Sequence, residues 1–110
     1  MGLYQAMDKA LQDRDAEAYI GLLHDDYRFV RHQSGETMDR AAMAELIRRM
    51  MADDAVEVRD QRLIYENAEI LVEHSVMDFP DGTREAVMGV HTLKDRKILR
   101  TETGATLLKT

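Results

Sequence analysis

Asp25-Asp26-Tyr27-Arg28-Phe29-Val30-Arg31-His32-Gln33-Ser34-Gly35 decides the fold. Two acidic residues give way to an aromatic and β-branched run over 27–32, the composition of a strand, and Gln33-Ser34-Gly35 ends it as a turn. On both sides of this strand the pattern is helical. Upstream, Leu3, Met7, Ala10 and Leu11 recur at helical spacing, and after Asp13-Arg14 the set Ala16, Tyr19, Ile20 and Leu23 repeats it. Asp15 is placed to cap the second of these helices, with Glu17 in its first turn. His24 is read as its end, where a cation suits the negative pole of the dipole. Downstream, Met43, Leu46, Ile47, Met50 and Met51 form one stripe behind an N-cap at Asp39, and Glu45 and Arg49 solvate the outer face. Burying such a stripe contributes at most about 1.5–3 kcal/mol per side chain, enough to hold the helix against an apolar surface.

That surface is a sheet. Strand-like segments follow at 55–65, 68–79, 84–93 and 97–108, with a hairpin turn at Pro80-Asp81-Gly82 and another at Lys94-Asp95-Arg96. Helices first and hairpins later imply an α+β fold, three helices of the N-terminal half packed on one face of an antiparallel sheet. In 84–93 both alternating rows, Val87-Gly89-His91-Leu93 and Ala86-Met88-Val90-Thr92, are mostly uncharged, so both faces of that strand need cover. One meets the helices and the other a curled part of the sheet or a second copy, which makes a homodimer the expectation.

The chain has 110 residues, which suits one domain over 1–110, and 45 % hydrophobic with 33 % charged residues is ordinary globular composition. A net charge of −6 offers no footprint for nucleic acid or an anionic membrane. With no cysteine there is no disulfide, thiolate nucleophile or Cys-based zinc site, and the N-terminal residues carry charge too early for a signal peptide. The expectation is a soluble, cytoplasmic protein. No two histidines stand at metal-ligand spacing, and no phosphate-binding or nucleophile-elbow motif is present, so neither metal nor cofactor is implied.

Asp15-Ala16-Glu17-Ala18, Leu22-Leu23-His24-Asp25-Asp26-Tyr27-Arg28-Phe29-Val30 and Gly35-Glu36-Thr37-Met38-Asp39-Arg40-Ala41 together resemble the nuclear transport factor 2-like superfamily, in its ketosteroid-isomerase-like and SnoaL-like polyketide cyclase branch. The resemblance implies a strongly bent sheet wrapped around helices as a cone, open at one end as a pocket and paired through its convex face. Fold does not carry function with it. Ketosteroid isomerases use an Asp base with a Tyr and a protonated Asp as oxyanion donors. Matched on Leu22–Asp26, the base position falls on Arg31, the Tyr position on Met7 and the third near Gly89, and none of these carries the chemistry.

The same resemblance turns Arg31 into the pocket, and strand alternation then sends Tyr27 and Phe29 with it and Arg28, Val30 and His32 outward. Gly89, His91 and Leu93 follow from one later strand, Thr101 and Thr103 from the last, with Met7 and Tyr19 packing from the helices. Arg31 is suited to a carboxylate or enolate of a ligand, or pairs internally with a carboxylate such as Asp60 or Glu73, or reaches to the cone mouth. His91 is the candidate acid or base, and His74 faces in or out according to register. The leading expectation is a pocket protein for a small organic ligand, an anion facing Arg31. The alternatives are an isomerase-, cyclase- or dehydratase-like enzyme working through His91, and a dimeric interaction module.

Overall fold

A computed structural model describes residues 2–53 and 56–109. Three helices, α1 (Leu3–Gln12), α2 (Ala16–Ile20) and α3 (Arg40–Ala52), accompany six strands: β1 (Leu23–Arg31), β2 (Glu36–Asp39), β3 (Glu57–Glu66), β4 (Ile70–Asp78), β5 (Arg84–Lys94) and β6 (Lys97–Leu107). The strands form one open sheet in the order β2-β1-β6-β5-β4-β3. Residue 55, where the first of the later strand segments was expected to begin, lies outside the described residues. None of the described helices is long and apolar enough to cross a membrane.

Three expectations are corrected. The sheet is mixed, because β1 runs parallel to β6 (Phe29 opposite Thr101, Arg31 opposite Thr103) while every other pair is antiparallel. The cause is α3, which carries the chain from β2 at one edge to β3 at the other, so that the returning meander reaches β1 with its last strand. β1 also starts at Leu23, which places His24 in the strand rather than at a helix end. There its Nδ1 accepts from the Asp26 amide at 3.0 Å. Finally β2, four residues long, pairs with β1 where only a turn and a helix cap were anticipated. Asp39 ends that strand and still caps α3, accepting from Ala42 N at 2.9 Å.

The hairpins turn as anticipated. Gly82 takes a positive φ of 87° between β4 and β5, and Asp95 and Arg96, both left-handed at 54° and 64°, make the two-residue turn between β5 and β6.

Helix ends are tied to the sheet by charged side chains. Glu66 of β3 reaches the start of α1, its Oε2 accepting from Leu3 N at 2.9 Å and Tyr4 N at 3.4 Å. At the end of α2, Arg40 donates to Ile20 O (3.1 Å) and Lys97 to Gly21 O (2.8 Å). Arg14, left-handed at φ 51°, donates to Met51 O, Asp53 O and Val56 O at 3.4, 3.1 and 2.7 Å. These carbonyls end α3 and lead into β3, and the guanidinium gives them charged donors, beside the Val56 amide that also reaches Asp53 O at 3.1 Å. Arg14→Met keeps the apolar stem and removes the donors. It is expected to lower stability by about 1.5–3 kcal/mol, the range for hydrogen bonds to a charged group, and to speed amide exchange at the end of α3. Urea titration and hydrogen exchange check both.

The core joins Met7, Ile20, Leu23, Tyr27, Phe29, Ala44, Ile47, Leu71 and Ile98. In the α3 stripe only Ile47 is fully buried. Its neighbours Met43, Met50 and Met51 stay partly exposed because they face an opening between helices and sheet.

Candidate functional site

Alternation along β4 sends Leu71, Glu73 and Ser75 to the helix-facing side, where all three are buried. A carboxylate in that row must find partners. Glu73 Oε2 accepts from Gln61 Nε2 at 3.2 Å, and Oε1 lies 3.5 Å from His91 Nε2. Register supplies the space: Glu73 stands opposite Gly89 on β5, and a Cβ at Gly89 would overlap Oε1 and approach His91 Nε2 to 3.3 Å. His91 is 2 % exposed. Its Nδ1 is 2.8 Å from Thr101 Oγ1, and Nε2 has no full hydrogen bond.

Glu73 and Ser75 form the buried wall of a cavity of about 580 Å³ between α1, α3 and the β3–β4 side of the sheet. The opposite wall is soft and apolar, with Met7, Met43, Ile47, Met50 and Met51 from the helices, and Met77 and Val87 continue the strand wall beside Ser75. Four carboxylates line it: Asp8, Glu57, Asp60 and Glu73. Asp8 accepts from Gln12 at 2.9 Å and Glu57 pairs with Arg59 at 3.0 Å. Asp60 sits at φ 54° within the irregular β3–β4 register between Arg59 and Arg62. The basic lining residue among those described is Arg14, whose guanidinium is taken up by main-chain carbonyls.

Two phenols complete the setting. Burial pushes Tyr27 up to about 12, partly offset by the neighbouring Thr101 hydroxyl. Tyr19, which lines the cavity, is held far above the ordinary tyrosine range by burial first and then by Tyr27 and Glu73. Both are neutral hydroxyls at physiological pH.

Of the residues singled out from sequence, Met7 and Tyr19 line the cavity. His91 and Thr101 stand behind Glu73, and Tyr27 and Phe29 are spent in the core. Arg31 is not brought to the cavity. It lies half exposed, 3.7 Å from both Glu36 and Glu85, so its carboxylate partners are not the anticipated Asp60 or Glu73. Thr103 sits beside it across the β1–β6 pairing. His74 falls on the opposite face of β4 from Glu73 and Ser75, between Arg62 and Met88 in register, which answers the question of its direction. Glu73, Gln61 and Ser75 were not singled out as site residues. The available signal was Leu71-Val72-Glu73-His74-Ser75, a single carboxylate in a row facing the helices, with Gly89 at the matching position of the next strand.

Comparison with known proteins agrees with this architecture. A family model for the SnoaL-like domain matches residues 4–101. The fold is similar to that of a nuclear transport factor 2-like protein of unknown function from Cytophaga hutchinsonii, with a TM-score of 0.76 and 12 % identity over 94 % of this chain and 87 % of that one. It is similar to a candidate ketosteroid isomerase from Kribbella flavida, with a TM-score of 0.75 and 17 % identity over 98 % and 78 %. An LEH-like epoxide hydrolase from M. tuberculosis superposes with a TM-score of 0.67 and 19 % identity over 94 % and 80 %. At such identities the likeness is one of fold. A search of curated proteins finds no match.

Proposed function

Because the chain belongs to the SnoaL-like domain family, we propose that it binds a compact, largely apolar and uncharged organic molecule in the methionine-walled cavity, with Glu73 as the polar anchor. The observation that carries this reading is the buried Glu73 carboxylate on the wall of a 580 Å³ cavity whose lining is otherwise mostly apolar or acidic. Such a wall opposes an anionic ligand, and Arg31, the cation that favoured one in the sequence, is engaged elsewhere. Methionines adapt their shape, which suits a hydrocarbon body of irregular outline.

A second reading follows from the chemistry of the same wall. A carboxylate held by Gln61 against His91, with the neutral Tyr19 phenol on the same cavity, is the equipment for moving a proton α to a carbonyl. Glu73 then replaces His91 as the base, since Glu73 and not His91 reaches the cavity.

The test is a thermal-shift screen of cyclic ketones and enones beside matched carboxylates. A ligand at 100 times its Kd stabilises by about 2.7 kcal/mol. Uncharged compounds are expected to register and carboxylates not to, and Val87→Phe, which fills the cavity, is expected to abolish the response. Hits that persist in Val87→Phe would place binding outside the cavity and reject the proposal.

The face of the sheet away from the helices supports a reading in which two chains pair. Val72, Val76 and Val90 lie on it with Met88 (42 % exposed) and Tyr65 (55 %), outside the helix-covered side. Light scattering is expected to give twice the chain mass, and Met88→Glu the mass of one chain.

A further inference from the structure

We propose that His91 is a positioning residue, locked by Thr101 into the neutral tautomer that carries its proton on Nε2, and that Gly89 supplies the space in which Glu73 meets that proton. The inference rests on the reading of Glu73 as the working carboxylate of the cavity. Its evidence is the pair of contacts made by the two nitrogens of a buried ring.

Thr101 and His91 are both buried, so the polar hydrogens they carry need acceptors. Thr101 Oγ1 stands 2.8 Å from His91 Nδ1, which offers its hydrogen an acceptor. With the proton on Nδ1, the ring donates to Thr101 and turns the bare lone pair of Nε2 toward a carboxylate oxygen 3.5 Å away, which is repulsive. The threonine hydrogen then loses the ring as its acceptor. With protons on both nitrogens, Thr101 Oγ1 receives from Nδ1 and its own hydrogen is again turned away from the ring. One arrangement satisfies both contacts of the ring: Thr101 donates to Nδ1, and Nε2–H faces Glu73.

Gly89 makes the last contact possible. Glu73 Oε1 occupies the place a side chain at 89 would fill, and His91 Nε2 borders the same space. Any larger residue would push the carboxylate off the ring. Gln61, donating to Oε2, fixes the other oxygen, so the carboxylate is held between two donors.

Nitrogen-15 spectra of histidine-labelled protein, recorded without ligand at neutral pH, test the arrangement. The expected result is a His91 signal protonated on Nε2, with Nδ1 shifted as a hydrogen-bond acceptor. Thr101→Val removes the donated hydrogen and is expected to move Nδ1 downfield toward an unbonded lone pair, and Thr101→Ser to restore it. Gly89→Ala is expected to shift the Nε2 resonance while leaving Nδ1 in place. A proton on Nδ1 in the wild type, or an Nδ1 signal indifferent to Thr101→Val, would overturn the lock. An Nε2 signal indifferent to Gly89→Ala would overturn the role given to Gly89. These readouts need no ligand, so an empty ligand screen with the expected spectra would reject the proposed function and leave the lock standing.

Discussion

Leu71→Ala is expected to lower the unfolding free energy by about 2–5 kcal/mol. Leu71 is fully buried on β4, opposite Glu66 on one side and His91 on the other, and belongs to the core cluster that joins the helices to the sheet. Its removal leaves a void that flanking strands cannot close, because both are pinned by their ladders. The urea midpoint should fall with an unchanged slope. Leu107→Ala is the control: 65 % exposed, it should change stability by no more than about 0.5 kcal/mol. A Leu71→Ala loss no larger than the control's would mean that the helices are not seated on β4 as described.

Glu73→Gln is expected to slow deuterium uptake α to the carbonyl of a bound cyclic ketone by about 10²–10⁴-fold, the usual contribution of a positioned general base. The carboxamide keeps the size of the side chain and still accepts from Gln61 through its oxygen, but cannot take a proton. Binding should therefore survive better than exchange. Proton NMR in D₂O reads the exchange directly, and the thermal shift of the same compound reads the binding. Equal exchange rates in wild type and variant, with binding intact, would remove the proton-transfer reading and leave a binding pocket. Tyr19→Phe offers a second handle: loss of exchange there with Glu73 in place would assign the phenol to the developing oxyanion.

Much of the fold was legible because its signals are local. Asp15 and Asp39 cap the helices they precede, and the two-residue Asp95-Arg96 turn sits where hairpin chemistry put it. The parallel pairing of β1 with β6 was not, since it depends on where α3 sets the chain down and not on any residue in either strand. β2 escaped because four residues, mostly exposed at an edge, carry little alternation, and Asp39 already had an explanation as a cap. The site was legible only in its parts. His91 was picked for chemistry it carries alone, Thr101 for the inward position the resemblance gives its strand, and Tyr19 for packing from a helix. Glu73 acquires meaning only from register, which sets it against Gly89 and His91 and turns His74 away. Arg31 shows the reverse: its chemistry pointed to a ligand, and Glu36 and Glu85, remote from each other in sequence, took the charge instead.

The strand order has a consequence for the birth of the protein. β1 and β2 meet the rest of the sheet solely through β6, the last strand to be made. As the chain leaves the ribosome, the meander from β3 onward grows by neighbouring hairpins, while the β1–β2 pair waits with one edge unsatisfied until residues of β6 arrive. Closing that junction joins segments more than seventy residues apart, a late and slow event compared with hairpin formation. During synthesis the nascent chain thus carries an open strand edge next to unpacked helices, the condition under which a holding chaperone would engage it.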